Sequence, residues 1–520
     1  MIKYSVFSLL SAALLYIAWP PIPLSPVLLV AFVPILLAES FLRRGRWLLL
    51  VLVCLLLWNS LSTFWIYNLI GWAFVVHLAN SLIFTIPFIA YTFAKPKSSR
   101  LFASTIFLLT WVLLEYMQLN WDLAYPFLNL GNGLSTFPQI IQWYEFIGSL
   151  GGTIWIILAN LIVTDLLVSV RQANGQSPYK LIVLALVIFV PIIYSMIVFY
   201  GFEQNADDIK VTAIQTGIDC RTEKYQTNQN SLIETYLEIT NRSPKDVELI
   251  VWPETALTDG GIIQQLSINP LYDSISLGLA QFQKQPSLVT GAILYKDWGN
   301  NHLETTTYFP GTESFLSLHN AALQVHPGHI PSVVRGKSRL VPFEEAAPRW
   351  VVIQWLRKKL GTLGGFTFSE HLSAPGYLEV RSHKVFPLIC YEILFGEEIA
   401  SSSYNSDLFL LMLNEGWYNN KNASLQFLNY TSARAIESRR SFVRSSNMGF
   451  AAFINQKGEI ISRTKEPFTS DIITGKVGCS SELTFYAIYG DLISLYLVTV
   501  LALFGIGVKL ATVLKAHLKN

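Results

Sequence analysis

Charged residues are scarce in this sequence. Asp, Glu, Lys and Arg together make up 14% of its 520 residues, whereas a soluble domain has about 25%. Hydrophobic residues make up 52%, and the mean hydropathy is +0.41. This combination indicates that lipid, rather than water, surrounds much of the chain.

Cysteine is also rare. The four cysteines are too few and too scattered for a disulfide scaffold or a zinc site, and neither a CxxC nor an HExxH motif occurs. We therefore predict no metal and no other cofactor. A disulfide between Cys220 and Cys479 is one possibility. The formal net charge of +2 gives no reason to expect a nucleic acid partner.

Eight apolar segments approach the length of about 20 residues that a membrane-spanning helix needs. They cover residues 4–19, 24–41, 47–67, 70–94, 101–120, 147–170, 181–201 and 485–510. We therefore predict a membrane bundle of about eight transmembrane helices. A removable signal peptide is the alternative interpretation of residues 1–19, although no small-x-small cleavage site follows them.

The charges between these segments predict an orientation, because Lys and Arg collect in cytoplasmic loops. With eight spans, four basic segments fall on one side of the membrane. Their residues are Arg43, Arg44 and Arg46; Lys95, Lys97 and Arg100; Arg171 and Lys180; and Lys509, Lys515 and Lys519. Both termini are then expected inside, and residues 202–484 outside.

Residues 202–484 have a different composition, in which β-rich runs alternate with helix-compatible stretches. This alternation predicts an α/β layered domain. The predicted strands are Ile209–Gln215, Leu249–Trp252, Leu288–Leu294, Val385–Cys390, Leu408–Leu413 and Phe450–Ile454, and the predicted helices are Leu232–Asn241 and Leu425–Glu437. The domain boundaries we expect are 1–201, 202–484 and 485–520, the last being a transmembrane helix with a tail.

Three reactive residues stand at or near the ends of predicted strands, where functional groups tend to collect. Glu254 follows an apolar strand, Lys337 lies in a loop, and Cys390 ends a second apolar strand. Each alone has an ordinary structural explanation. Together they suit nucleophilic catalysis, in which a thiolate attacks, a carboxylate carries the proton and an ammonium group stabilises negative charge.

The order Glu254, Lys337, Cys390 resembles the catalytic triad of the nitrilase superfamily, the carbon–nitrogen hydrolases. The matching words are Trp252-Pro253-Glu254, Lys337-x-x-Leu340-Val341-Pro342-Phe343-x-Glu345, Cys390-Tyr391-Glu392, Asn414-x-x-Trp417, Arg434-Ala435-x-Glu437 and Arg444-x-x-Asn447-x-Gly449. A domain of this kind between seven spans and one span resembles one family, the apolipoprotein N-acyltransferases. Ala18–Leu37 and Tyr125–Tyr144 resemble that family's helical hairpin and periplasmic loop.

The resemblance implies a nitrilase-like αββα sandwich and transfer of an acyl chain. The donor would be a phospholipid, and the acceptor the α-amino group of an N-terminal diacylglyceryl-cysteine on a bacterial apolipoprotein. Cys390 would carry the chain as a thioester, in a monomeric multi-pass protein of the inner membrane. We expect Glu345 and Glu392 to orient Lys337 and the amine, and Tyr391 and Trp417 to line the pocket. Loop carboxylates and plain packing are the alternatives for these four.

Four positions depart from the family pattern. Glu344 stands where the family usually has glycine, Arg335 where an aromatic residue is common, Glu415 where the family has aspartate, and Tyr225 where it has a tryptophan. These departures bear on the shape of the pocket and on the preferred acyl donor. Residues 349–368, with Trp and Leu beside basic residues and with Gly364–Gly365, are a candidate lid at the membrane interface.

Two other functions fit parts of the sequence. A membrane-tethered nitrilase-type amidase would share the triad but use water as the acceptor. A transporter or receptor would use the domain only to bind a ligand. Transporters tend to carry charges or broken helices at the bilayer midplane, whereas Glu115 and Asp165 lie near the ends of their spans.

Overall fold

The computed structural model describes residues 2–95, 100–171, 178–203, 208–303, 305–346, 368–369 and 372–517. The chain forms two compact units. The first comprises Met1–Trp121, Tyr125–Phe202 and Thr484–Asn520, and the second comprises Asp122–Ala124 and Glu203–Leu483. The candidate lid, apart from Phe368, lies outside the described residues.

The first unit is helical. Its α-helices are Ile2–Ile17, Val33–Ala38, Arg44–Ser62, Ala73–Ala94, Arg100–Leu119, Tyr144–Arg171, Pro178–Gly201, Phe485–Tyr489 and Leu492–His517. Among the described residues, five helices are long and apolar enough to cross a membrane, namely Arg44–Ser62, Ala73–Ala94, Arg100–Leu119, Tyr144–Arg171 and Pro178–Gly201. The protein is therefore a multi-pass membrane protein. The predicted total of about eight spans stays a prediction.

The predicted second span, residues 24–41, is not one continuous helix. A 3₁₀ helix over Ser25–Leu29 is followed by a short α-helix over Val33–Ala38. Each has a proline in its first turn, and proline lacks the N–H that a continuous helix would need there. The side chain of Asn160 satisfies backbone groups at this interruption, since it accepts from Phe32 N and donates to Leu28 O, both at 2.8 Å. Apolar surroundings require such replacement partners.

The two acidic residues singled out in the spans have structural partners. The Glu115 carboxylate accepts hydrogen bonds from Trp111 Nε1, Leu130 N and Thr153 Oγ1. Asp165 forms ion pairs with Arg100 at 3.4 Å and Lys180 at 2.6 Å. These contacts account for both carboxylates without a transport pathway.

The second unit is an α/β domain. Its strands are β1 (Asp208–Gln215), β2 (Leu249–Val251), β3 (Ser287–Asp297), β4 (Thr307–Phe309), β5 (Ser314–Val325), β6 (Ser332–Gly336), β7 (Leu378–Val380), β8 (His383–Ile389), β9 (Leu408–Leu413), β10 (Ser441–Ser446), β11 (Ala452–Ile454), β12 (Ile460–Arg463) and β13 (Asp471–Gly478). Its helices are Gln229–Asn241, Pro270–Ala280, Gly396–Ser402 and Lys421–Ser438. Each predicted strand and helix overlaps one of these elements.

The strands form two half-sheets that meet at one register pair, Gln215 with Ser446. The order through both is β4–β5–β3–β2–β1–β10–β9–β8–β7, with β13 beside β1, β6 beside β5, and β11 and β12 beyond β10. Strands β1, β2 and β3 are parallel to one another and to β8, β9 and β10. The carboxyl ends of both sets therefore share one edge.

Helices cover the half-sheets. Tyr236 and Ile275, from the helices Gln229–Asn241 and Pro270–Ala280, pack with Trp252 and Leu288 in one buried cluster. The helix Lys421–Ser438 contacts β10 and β11 of the other half. Every residue of β9 is buried, as expected for a strand that is apolar throughout and covered on both faces.

Candidate active site

Glu254 is held at the carboxyl end of β2 by three donors. Its Oε1 accepts from Lys337 Nζ at 2.9 Å and from Asn320 Nδ2 at 2.8 Å, and its Oε2 accepts from Asn414 N at 3.0 Å. The side chain is buried, with 6% of its surface exposed. Trp252, two residues earlier, anchors the turn by donating to Thr240 Oγ1 at 2.9 Å. The carboxylate therefore has a fixed position.

Lys337 follows β6 and is buried between two carboxylates. Its Nζ donates to Glu254 at 2.9 Å and to Glu345 Oε1 at 2.7 Å, and its backbone N donates to Asn320 O at 2.8 Å. Burial by itself lowers the pKa of Lys337, but Glu254 and Glu345 together raise this pKa well above its usual value. The side chain is therefore a permanent cation at the edge of the sheet.

Glu345 contacts Lys337, as the sequence led us to expect. Its second oxygen accepts from Val341 N at 2.8 Å, which ties the carboxylate to the loop after Lys337. Burial raises the pKa of Glu345, and the negative charge of Glu254 raises it further, while Lys337 opposes both. Glu345 is thus a second carboxylate that holds the ammonium group of Lys337 in place.

Cys390 stands at the end of β8, in a backbone conformation with φ of +51° that non-glycine residues seldom adopt. A 3₁₀ helix begins at this residue. Burial raises the pKa of the Cys390 thiol well above its usual value; the negative charge of Glu254 raises it further, and Lys337 opposes both. At rest the sulfur is therefore a protonated thiol beside a base. Tyr418 Oη lies 4.0 Å from Sγ.

Glu392 has no hydrogen bond to Lys337 among those of the described residues, so its expected role in orienting Lys337 and the amine stays a prediction. It instead accepts from Ser338 N and from Ile389 N, both at 2.7 Å. These two residues are the chain neighbours of Lys337 and Cys390. Glu392 therefore ties together the backbone segments that carry the cation and the thiol.

Arg335, the departure from an aromatic residue, is the partner of Glu392. Its Nη1 donates to Glu392 Oε2 at 2.6 Å, and its Nη2 donates to Ser338 Oγ at 2.7 Å. Burial would raise the pKa of Glu392, but Arg335 holds it below its ordinary value. The guanidinium also lies 5.0 Å from the centre of the Phe386 ring. This chain thus has an ion pair behind its reactive loops.

Tyr391 and Trp417 have different surroundings. Tyr391 is buried, and its hydroxyl donates to Ala124 O at 2.6 Å. Trp417 is 37% exposed, and its ring stacks on Tyr225 with ring centres 5.9 Å apart. Tyr225 Oη in turn lies 3.3 Å from Thr255 Oγ1, directly after Glu254. The Tyr225–Trp417 pair therefore presents an aromatic surface beside the Glu254 turn.

A buried ion pair supports the other end of the site. Glu415 lies 2.5 Å from Arg444, and neither side chain is exposed. Ser446 Oγ donates to Glu415 Oε2 at 2.9 Å. A Cβ atom on Gly449 would lie 1.6 Å from that oxygen, which explains why glycine is needed at this position.

Two contributors, Asn320 and Lys224, were missed at the sequence level, and a third, Asn447, was named only as part of a motif. Asn320 lies within β5 and donates to Glu254; Asn447 donates to Asn414 Oδ1 at 3.0 Å and to Ile218 O at 2.8 Å. Lys224 donates to the Glu254 backbone oxygen at 2.9 Å. Asn447 belongs to one of the family motifs named above, whereas a single Lys or Asn outside such a motif does not indicate a functional site.

Two sequence-level expectations concern groups other than the triad. Within the described ranges, no cluster of three or more His, Cys, Asp or Glu residues could hold a metal ion. Cys220 and Cys479 are not joined by a disulfide, so that possible pairing is not found.

Comparisons with known proteins agree with this architecture. Residues 210–481 match the family model described as carbon-nitrogen hydrolase, and residues 11–162 match that of the apolipoprotein N-acyltransferase N-terminal domain. An apolipoprotein N-acyltransferase of Chlorobaculum tepidum is 26% identical over 511 residues, covering 93% of this chain and 92% of the relative. One from Geobacter metallireducens is 26% identical over 510 residues, covering 94% and 91%.

Among solved structures, a CN-hydrolase superfamily protein of Xanthomonas campestris aligns with 52% of this chain and 91% of its own, at 14% identity and a TM-score of 0.35.

The matched model over residues 210–481 covers more than half of the chain and defines a carbon–nitrogen hydrolase. Together with the N-terminal match and the nearly full-length relatives, it shows that the chain belongs to the apolipoprotein N-acyltransferase family of that superfamily.

Proposed function

We propose that this enzyme moves an acyl chain from a phospholipid to the α-amino group of the N-terminal diacylglyceryl-cysteine of an apolipoprotein, through a thioester on Cys390. One observation carries the proposed mechanism: the buried Glu254 carboxylate forms an ion pair with the Lys337 ammonium group at 2.9 Å, and the charges of both groups act on the pKa of the Cys390 thiol. A base, a nucleophile and a cation that act on one another electrostatically are the parts that acyl transfer requires.

In the first half-reaction, Glu254 takes the thiol proton as Cys390 Sγ attacks the ester carbonyl of the phospholipid. Lys337 stabilises the negative charge that forms on the carbonyl oxygen. The ester C–O bond then breaks, and the departing alkoxide receives the proton from Glu254. The products are a thioester on Cys390 and a lysophospholipid.

In the second half-reaction, the α-amino group of the lipopeptide attacks the thioester carbonyl. Glu254 accepts a proton from the amine, the C–S bond breaks, and the sulfur is reprotonated. The step runs downhill because an amide is more stable than a thioester. No cofactor takes part in this sequence of steps.

The supporting residues have proposed roles that follow from their contacts. Glu345 fixes the ammonium group of Lys337, and Glu392 keeps the Lys337 and Cys390 loops together. Tyr391 and Trp417 line the pocket, and Trp417 with Tyr225 offers an apolar surface to a lipid chain.

We also propose that the enzyme lies in a bacterial inner membrane as a monomer, with its α/β domain on the extracytoplasmic side. The basic segments after the apolar runs support this orientation. Both proposed substrates are anchored in a membrane, which agrees with a multi-pass enzyme.

The proposal is tested by intact-protein mass spectrometry of the enzyme with phospholipid and without an acceptor. An acyl adduct on Cys390 is expected, and a diacylglyceryl lipopeptide should discharge it and gain the chain. Cys390→Ala should form no adduct. Cys390→Ser should lose almost all of the rate, because an alcohol is harder to ionise than a thiol. Cys54→Ala, which removes a thiol from the helical unit, should behave like the wild type.

The amidase alternative gives the opposite result in the same assay. Release of ammonia or free acid from a small amide, with no acylated lipopeptide, would make the chain a hydrolase and refute the transferase.

A further inference from the structure

A second lysine lies beside the triad. Lys224 is in the loop after β1, and no part of it is exposed. Its Nζ donates to the backbone oxygen of Glu254 and to Thr255 Oγ1, both at 2.9 Å. Burying an ammonium group costs several kcal/mol unless other groups compensate, so this position calls for an explanation.

The hydrogen-bond partners of Lys224 do not explain why its ammonium group is buried. Both hydrogen bonds go to neutral oxygens, and within the described residues Lys224 forms no ion pair with a carboxylate. Lys337, by contrast, forms ion pairs with Glu254 and Glu345. A buried lysine without its own carboxylate must take its compensation from the wider charge of the site.

The charges of the site show where that compensation comes from. The pairs Glu392–Arg335 and Glu415–Arg444 each contain one acid and one base. Glu254 and Glu345, however, share the single cation of Lys337. Lys224 is a second cation beside these two carboxylates and Lys337. Its charge interacts favourably with Glu254 and with ionised Cys390.

Lys224 also braces the turn that delivers the base. Thr255 has φ of +48°, a left-handed conformation that costs energy for a β-branched residue. Lys224 bonds to both residues of this turn, one through the backbone of Glu254 and one through the Thr255 hydroxyl. The bonds keep the strained turn in the conformation in which the Glu254 carboxylate accepts the hydrogen bond from Lys337.

We infer that Lys224 is a positioning residue of the acyl-transfer centre, whose buried cation holds the Glu254–Thr255 turn and stabilises the ionised Cys390 sulfur. This inference rests on the proposed function for its role in the reaction. The effect of the Lys224 charge on the ionisation of Cys390, however, can be measured without either substrate.

The charge of Lys224 is lost in mildly alkaline solution. Burial lowers the pKa of Lys224 to about 8, although Glu254, Cys220 and Cys390 each raise it. The other groups near its ammonium are Thr255 and the Tyr225 ring, whose centre is 5.8 Å away. Stabilisation of the Cys390 thiolate by Lys224 should therefore be present below about pH 8 and fade above it.

The test follows alkylation of Cys390 by iodoacetamide from pH 6 to pH 10, read on the Cys390 peptide by mass spectrometry. In Lys224→Met, which keeps the stem and removes the charge, alkylation at pH 7 should be about 10- to 100-fold slower than in the wild type. In the wild type, the increase of rate with pH should flatten above pH 8. In Lys224→Arg, whose cation persists, it should not flatten.

Melting temperatures of the variants separate this role from simple packing. A Lys224→Met protein of unchanged melting temperature that is alkylated at the wild-type rate with the wild-type profile overturns the inference. If Lys224→Met does not fold, the comparison is made between the wild type and Lys224→Arg. Alkylation rates of these two proteins that depend on pH in the same way overturn the inference. Alkylation uses no phospholipid, so its failure counts against Lys224 alone, whereas a missing acyl adduct counts against the proposed function.

Discussion

At the scale of single residues, the chemistry depends on what Glu254 can accept. Its carboxylate already receives N–H groups from Lys337, Asn320 and Asn414, and it must also take the thiol proton. Glu254→Gln places an amide N–H against these donors and cannot accept that proton. We expect acylation to fall by about 10²–10⁴-fold, measured as Cys390 adduct formation with phospholipid. The exposed Glu238→Gln is the matched control and should keep the wild-type rate.

Arg335 allows a test of the ion pair that this chain has in place of the usual aromatic residue. Arg335→Met leaves the Glu392 carboxylate buried without its cation, which should lower the free energy of unfolding by about 3–5 kcal/mol. Removing both charges in Arg335→Met/Glu392→Gln should recover part of this loss. Thermal unfolding in detergent measures both effects. A double variant as unstable as the sum of the single ones would show that the two residues do not interact.

At the scale of secondary-structure elements, the site depends on close packing between β3 and the turn after β2. A Cβ atom on Gly291 would lie 2.5 Å from Thr255 N and 2.6 Å from Glu254 Cα. Gly291→Ala must therefore push the Glu254 turn away from its partners. An error of 1 Å in a reacting group can cost about 10²-fold in rate, so we expect a loss of that order in acylation.

Gly311→Ala is the control for this prediction, because nothing lies within 4 Å of a Cβ atom at that glycine. It should leave both the melting temperature and the acylation rate unchanged. Equal behaviour of the two alanine variants would contradict the packing argument.

The elements also show what can be predicted from the sequence. Strand β9 was predicted with its observed bounds because all six of its residues are apolar and buried. Strand β5 was missed, since Ser317, His319 and Asn320 break its apolar pattern. Their partners lie elsewhere in the chain: Trp298 donates to Ser317, and Asn320 donates to Glu254. A pattern within one segment cannot reveal partners that only the folded chain supplies.

The same reason explains which site residues could be found. Glu254, Lys337 and Cys390 stand in recognisable motifs, and in the structure Lys337 contacts Glu254 at 2.9 Å while Cys390 directly follows β8. Lys224 belongs to no such motif, and its burial follows from the packing of the loop after β1. Glu392 was found, but its contact with Ser338 and Ile389 rather than Lys337 was not foreseeable from spacing.

At the scale of the whole molecule, the orientation in the membrane can be tested directly. Alkaline phosphatase is active only outside the cytoplasm, and the basic segments predict that residues 202–484 lie outside. A fusion at about residue 300 should therefore be active, and one after residue 97 inactive. The reverse pattern of phosphatase activity would refute the proposed orientation.

The pairing of β1 with β13 has a consequence for the synthesis of the enzyme. All eight positions of β1 pair with β13, and the side chains of Thr212 and Thr474, which are hydrogen-bonded, lie 262 positions apart in the chain. A ribosome makes Glu254, Lys337 and Cys390 before it makes β13, whose first residue, Asp471, lies 81 positions after Cys390. The growing polypeptide therefore already contains the thiol of Cys390 while the sheet still lacks the strand that pairs with β1 along its whole length.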